Sequence, residues 1–357
     1  MAQQEIVVHR TSTPKAKPAV EGLGFGKYFT DHMAIVEYDA DRGWHDARVV
    51  PYGPISLDPS AAVLHYGQEL FEGIKAFRGT DGKVRTFRMD KNCRRMNEGA
   101  ERICMPTMDP EFMADVIAKL IEVEADWVPD APATALYIRP TLIATEPFLG
   151  VKPSKSYMFY VILSPVGAYF AEGLNPVKIW VEDKYVRAAR GGLGYIKAGA
   201  NYAASLLAAE EAKKKGYSQV LWLDAKEHKW FEEVGTMNLF VKLGDEICTA
   251  PLGGSILAGV TRDSVLTLLR DWGMKVSERP ISIDEVAQAA SKGELMEVFG
   301  TGTAAVISPV KELCYKGETL KVGDGKTGPV SQKLYDTITG IQYGRLPDPH
   351  NWLRLIK

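Results

Sequence analysis

Cysteine is scarce and scattered in this chain: Cys93, Cys104, Cys248 and Cys314 are the only four, and none forms a C-x-x-C pair. The six histidines make no H-x-x-x-H, so neither a disulfide framework nor a metal site is expected. No run approaches the ~18 uninterrupted apolar residues of a membrane span. An excess of one charge is missing too. Lys plus Arg total 43 against 45 Asp plus Glu, a net of −2, which argues against nucleic acid or an acidic membrane surface as partner. The N-terminus, MAQQEIVVHRTSTPKAKPAVEG, has no apolar core followed by a small-residue cleavage site and carries Glu5 early. No secretory or transit signal is read there, and the cytoplasm is the expected location. The glycines of GLGFGKYF follow no strand and open no helix, so the dinucleotide fingerprint fails. D-A-D-R-G starts like a calcium loop, yet no glutamate stands at its twelfth position. GGSIL lacks the second glycine of a nucleophile elbow around Ser255.

What remains is a soluble globular composition, 46% hydrophobic and 25% charged, in 357 residues, enough for two domains each burying its own core. Residues 1–22 read as a polar arm with Pro14 and Pro18. A first domain, 23–166, opens with a hairpin around D-x-D-x-G and continues through a short helix, the strands IKAFR and VRTFR, and a helix after Asp90. On that helix Arg94 and Arg95 lie roughly 100° apart, so only one can face a given site. PEFMADVIAKLIEVEADWVP is amphipathic, with Phe112, Val116, Leu120 and Val123 on one stripe. Two apolar strands, ALYIRPTLIATEP and KSYMFYVILSPVG, close the domain. Arg139 inside the first of them is costly to bury unpaired and needs a carboxylate, from protein or substrate. The turn-rich stretch 167–178 reads as the interdomain connector, leaving 179–357 as the second domain.

The most informative stretch is Gly191 to Val241. Lys197 lies among Gly194, Tyr195, Ile196, Ala198, Gly199 and Ala200 with no ionisable neighbour nearby. Partial desolvation favours its neutral form and makes it a nucleophilic amine of the kind that forms Schiff bases. A helix over Asn201–Lys215 follows, with Tyr202, Leu206, Ala209 and Ala212 on its apolar face and a stop at Gly216. Its first turn brings the Tyr202 phenol towards the lysine. SQVLWL and VGTMNLFVK then read as two strands of a hairpin whose entry carries Glu232 and Glu233, one of the two being a solvated turn residue. Further on, a glycine-punctuated loop feeds a helix starting near Thr261 to Ser264, an anion site made of backbone amides and the Thr261 hydroxyl. A helix capped by Ser282 leads to the strand LMEVF and the small residues Gly300 to Ala304, whose N–H groups can hold a phosphate or a carboxylate.

Five motifs, HYGQELFEGIKAFR, YIRP, YIKAGANY, EVGTMN and FGTGTA, run in this order between Phe25 and Gly344. Together they make the chain resemble the fold-type IV pyridoxal-phosphate aminotransferases, and most of all the branched-chain amino acid aminotransferases. The resemblance implies a two-domain α+β or α/β fold, with a small N-terminal α/β domain and a larger C-terminal mixed-sheet domain joined by a short loop. It makes Lys197 the catalytic lysine that bonds pyridoxal 5'-phosphate. Arg95 would grip the phosphate, Tyr202 would contact the phenolic oxygen, and Glu233 would meet the pyridine nitrogen. Leu257, Val260, Thr261 and Thr303 complete the implied cofactor set. Phe25, Tyr66, Phe71, Tyr137, Arg139, Tyr169, Thr236, Thr303 and Ala304 would line the substrate pocket, and Leu149 and Val151 would reach into the partner subunit's site in a homodimer. The implied reaction moves the amino group of L-leucine, isoleucine or valine to 2-oxoglutarate, giving the branched-chain 2-oxo acid and L-glutamate. D-amino acid aminotransferase and aminodeoxychorismate lyase share the fold and the lysine, and a non-catalytic pyridoxal-phosphate binder is an alternative of another class. Ala305 and Ser308 stand where some members carry a redox C-x-x-C, so no thiol switch is expected.

Overall fold

The computed structural model describes residues 5–167 and 174–356, which fall into two compact units. The first comprises residues up to 169 together with Ile196–Gly199 and Gly340–Lys357. Its strands are β1 (Val7–Val8), β2 (His32–Asp39), β3 (Gly43–Pro51), β4 (Glu69–Phe71), β5 (Ile74–Arg78), β6 (Val84–Phe87), β7 (Ala135–Ala144) and β8 (Ser156–Val166), with helices α1 (Ala62–Tyr66), α2 (Met89–Arg102) and α3 (Pro110–Val123). The sheet runs β1-β3-β2-β8-β7-β5-β6 and ends on the C-terminal strand Leu353–Leu355, while β4 pairs off this path with β7. That last pairing explains why the chain's end groups here rather than with the rest of 179–357: Leu353 to Leu355 lie antiparallel to Arg85–Phe87, and Trp352 packs edge-on against Phe87. Strand β7 is buried on both faces, and α3 buries Met113, Val116, Ile117, Leu120 and Ile121, a stripe one residue off the expected Phe112 and Val123 at its ends.

The second unit holds β9 (Val177–Glu182), α4 (Gly199–Lys214, of which all but the first residue belongs here), β10 (Gln219–Leu223), β11 (Phe231–Val234), β12 (Met237–Leu243), β13 (Glu246–Thr249), α5 (Val260–Asp271), β14 (Val276–Glu278), α6 (Ile283–Ser291), β15 (Leu295–Gly302), β16 (Val306–Tyr315), β17 (Glu318–Lys321) and α7 (Pro329–Gln342, of which the residues up to Thr339 belong here). Strands β11-β10-β9-β16-β15-β12 form a ring that closes because β11 also pairs with β12. Alternate inward residues fill this barrel, among them Ile179, Val181, Leu221, Leu223, Val234, Leu239, Val241, Val298 and Leu313.

Two local expectations change. The run VGTMNLFVK is not one strand: Gly235, at φ 58, and Thr236 form a tight turn between β11 and β12, with Val234 opposite Met237. Glu232 and Glu233 are therefore strand residues of β11, at the point where its register with β10 shifts, 7% and 2% exposed, and neither is solvated. Helix α4 buries Asn201, Ala208 and Ala212, the alanines against Val220 and Trp222, and leaves Leu206 and Leu207 exposed. Of the expected stripe, Ala212 is buried and Tyr202 half-buried, while Leu206 and Ala209 are exposed.

Candidate active site

In the first unit, the backbone of the lysine segment is tied to β4. The Phe71 N–H donates to the Lys197 carbonyl at 3.1 Å, and Lys197 Nζ lies 4.8 Å from the Phe71 ring centroid. Next to Phe71, the Glu72 N–H is held by the Pro140 carbonyl of β7 at 2.8 Å, which fixes where its side chain projects. That carboxylate is buried and receives Arg95 Nε at 2.7 Å, Arg95 Nη2 at 2.8 Å, Asn92 Nδ2 at 2.8 Å and the Gly73 N–H at 3.1 Å. Asn92 and Arg95 sit three residues apart on α2 and share its buried face, whereas Arg94 is exposed, as the spacing of adjacent helical residues requires.

This arrangement sets the charge on the lysine. Burial brings Lys197 down from 10.5 to about 8; Glu72 opposes the shift and Arg95 assists it. Burial pushes the Glu72 carboxyl up, yet Arg95, Lys197 and Asn92 outweigh it and hold the carboxyl below the usual range. The result is an amine much less basic than an ordinary lysine, beside a buried fork-to-carboxylate pair.

Tyr137 and Arg139 are two apart on β7 and so share a face. The Tyr137 phenol packs where a Cβ on Gly73 would sit, and its ring meets Phe25 edge-on at 4.7 Å. Arg139 donates to the Tyr137 hydroxyl at 3.2 Å and stacks 4.6 Å from the Phe71 ring centroid. Its buried Nε has no hydrogen-bond partner, and among the described residues it makes no ion pair. Arg139 itself is half-buried, the one residue of β7 that is not fully enclosed. Phe25, Phe71, Tyr137, Arg139, Arg95 and Lys197 are brought together. Tyr66 is not: it ends α1 exposed, beside His65. Leu149 and Val151 are exposed on a loop, and Tyr169 lies outside the described residues.

The second unit builds a polar group around Glu233. Its Oε1 accepts the Leu257 N–H at 2.8 Å, and its Oε2 lies 3.1 Å from Arg187 Nε. Asn238, opposite Glu233 across the β11–β12 pair, donates to the Leu257 carbonyl at 2.9 Å, so the Leu257 peptide is clamped from both sides. Arg187 also donates to the carbonyls of Ser255 (2.9 Å) and Gly194 (3.2 Å), which pins both loops to the carboxylate. A Cβ on Gly194 would overlap the Ser255 carbonyl, so this approach requires glycine. Helix α5 begins at Val260 behind Gly259, which offers no side-chain cap, leaving the first amides and the Thr261 side chain to serve an anion. The register Asn238–Thr301 places Thr303 and Ala304, just past β15, at the same end as the turn residue Thr236, which is exposed. Tyr202 is half-buried in the first turn of α4.

Glu72, Asn92 and the partnership of Arg187 with Glu233 are what sequence reasoning missed. Glu72 sits inside a motif already singled out, and the need of a buried Arg95 for an anion is the signal that would have found it. Outside these groups, Glu37, His45 and Asp46 bring possible metal donors within 4.8 Å of one another, with Glu37 already ion-paired to Arg48. Among the described residues no helix is long and apolar enough to cross a membrane.

The donors suit a phosphorylated aldehyde with a basic ring nitrogen. The first unit offers an amine of lowered basicity and a buried guanidinium; the second offers an uncapped helix N-terminus and a buried carboxylate. Comparison with known proteins agrees. Residues 69–313 match the family described as amino-transferase class IV. The chain is 54% identical over 352 residues to branched-chain-amino-acid aminotransferase 2 of Bacillus subtilis, covering 99% of this chain and 97% of that protein. It is 55% identical over 339 residues to branched-chain-amino-acid transaminase 1 of the same organism, covering 95% of each. Among solved structures, the T.th. branched-chain amino acid aminotransferase with pyridoxamine 5'-phosphate superposes with a TM-score of 0.76 at 26% identity, covering 91% of this chain and 98% of that one.

Proposed function

Because this chain belongs to the class IV aminotransferases, and within them to the branched-chain-amino-acid enzymes, we propose how its own residues perform that transamination and on what. It is a pyridoxal-phosphate-dependent branched-chain-amino-acid transaminase of the fold-type IV architecture. When bound, the cofactor supplies an aldehyde that takes up the amino group and a ring that accepts the electron pair from the substrate Cα. Lys197 is its covalent anchor and, once released, the base that carries the proton at Cα; a neutral Nζ is what this role needs. Arg95, Val260, Thr261 and Thr303 are the residues assigned to its phosphate. Glu233 meets the ring nitrogen, Leu257 packs beneath the ring, and Tyr202 faces the phenolic oxygen.

Arg139 binds the substrate carboxylate, and the aromatic surface of Phe25, Phe71 and Tyr137 takes the branched side chain, each buried methylene contributing roughly 0.8 kcal/mol. The amino acceptor is 2-oxoglutarate. The enzyme works as a homodimer, each chain's Leu149 and Val151 lining its partner's site; exposed apolar side chains on this loop and on α4 support that reading. The carrying observation is Lys197 beside Glu72 and Arg95, with its ordinary 10.5 brought down to about 8, in a chain of this family. The test is conversion of L-leucine and 2-oxoglutarate to the 2-oxo acid and glutamate by purified protein. Lys197→Ala is expected to lose that activity and the visible absorbance of the bound cofactor together; activity with D-alanine alone would overturn the substrate assignment.

A further inference from the structure

A cavity of about 560 Å³ opens in the second unit on the side of β11 that Glu232 faces, within the range of small-molecule sites. The register of β11 against β10 shifts at Glu232 and Glu233; Glu233 holds the Leu257 amide and Arg187, while Glu232 holds Ser255 and lines this cavity. Nothing in the transamination uses it. Glu232 is 7% exposed; its Oε1 accepts from the Ser255 hydroxyl, and its Oε2 is buried with no hydrogen-bond partner. Burial pushes this carboxyl up, Glu233 and Asp224 push the same way, and the Ser255 bond and Arg187 oppose them. A second donor is what the ionised carboxylate lacks.

Arg190 lies across the cavity wall against Gly253, a Cβ there falling 3.3 Å from its Nη2, and among the described residues it has no carboxylate partner. One wall thus carries Arg190, an exposed guanidinium with no carboxylate acceptor among the described residues, and behind another the buried Glu232 Oε2 lacks a donor. Trp230, Phe231 and Pro251 supply apolar surface between polar groups. Asp224 does not compete for a ligand, since its two oxygens already accept the amides of Lys226, Glu227, Lys229 and Trp230.

We infer that this cavity is a second ligand site, taking a free α-amino acid with an apolar side chain as its zwitterion, the carboxylate on Arg190 and the ammonium on Glu232. A turn of the Glu232 carboxyl group presents Oε2 to the ammonium. A 2-oxo acid would satisfy Arg190 and leave Glu232 unpaired, so the site discriminates between the two sides of the transamination. The inference does not rest on the active-site assignments.

The probe is α-methyl-L-leucine, which keeps the zwitterion and the isobutyl group and has no α-hydrogen to transfer. Equilibrium dialysis against the holoenzyme is expected to find two molecules per chain. Ala225→Trp, which fills the cavity from its wall, and Glu232→Gln and Arg190→Met, which remove one charge each, are expected to abolish or weaken by roughly tenfold or more only the second molecule. The absorbance of the bound cofactor, unchanged in each, reports that the fold and the catalytic site are intact. 4-Methylpentanoate, which lacks the ammonium, is expected not to displace the second molecule. One molecule per chain in the parent enzyme overturns the proposal, and so do two that survive both Ala225→Trp and Glu232→Gln. A parent that transaminates leucine but binds one molecule sinks this site alone and leaves the catalytic reading standing.

Discussion

At the scale of single residues, the decisive quantity is the proton on Lys197. Its affinity is the balance of burial and Arg95 against Glu72, so pyridoxal phosphate capture by the cofactor-free protein is expected to rise with pH through a midpoint near 8, followed by the growth of visible absorbance. Glu72→Gln removes the anion that favours the charged amine and moves that midpoint lower; a midpoint that rises would refute the balance described. The same shift touches stability. The folded chain binds this proton less tightly than the unfolded one, whose lysine titrates at its ordinary 10.5. The penalty is therefore full below pH 8 and is relieved as pH climbs from about 8 to 10.5, so the cofactor-free protein gains stability over that window from this group. Arg139 makes a second prediction at this scale. With its Nε unpartnered and an aromatic ring on one face, it is the residue proposed above to bind the substrate carboxylate. Arg139→Met is expected to raise KM for the amino acid roughly ten- to a hundredfold with a smaller effect on kcat, the signature of an interaction made equally in ground and transition states.

At the scale of elements, the large unit depends on loops drawn together by side chains rather than by strand pairing. Arg187 binds the carbonyls of Gly194 and Ser255 while pairing with Glu233, so one guanidinium positions the segment before Lys197, the loop before Leu257 and the acid of β11. Gly194→Ala places a methyl group into the Ser255 carbonyl and the Ala188 side chain, and only a backbone shift accommodates it. The expected cost is about 1–3 kcal/mol of stability, with faster loss of cofactor on dialysis. Gly192→Ala is the control: its new Cβ meets the Ala189 carbonyl at 3.0 Å, a milder contact, and a smaller loss is expected on thermal unfolding.

At the scale of the whole molecule, Lys197 and Arg139 belong to the unit that includes Ile196–Gly199, and Glu233 and the N-terminus of α5 belong to the other. The proposed homodimer is tested at this scale. Sedimentation is expected to give twice the 39.3 kDa chain mass. Val151→Asp, 88% exposed in the single chain, is expected to leave the fold unchanged and to lower kcat/KM for leucine through the partner's pocket; a monomer with full activity would refute the shared site.

The amino-acid sequence by itself determined the family, the reacting lysine and the cast of polar residues, because a lone lysine among glycines and small residues and five ordered motifs are local features. It also determined that Arg94 and Arg95 could not both face inward, since adjacent helical residues diverge, and the resemblance singled out Arg95. Only the tertiary structure decided what those residues do to one another. Glu72 became the partner of Arg95 because β4 and α2, twenty-three positions apart in the hydrogen-bonded pair, pack together. Glu232 and Glu233 both became buried because a turn at Gly235 set them inside a strand whose four residues are all enclosed. Charge on a buried group is fixed by neighbours brought close through folding, and distance along the chain carries no information about that.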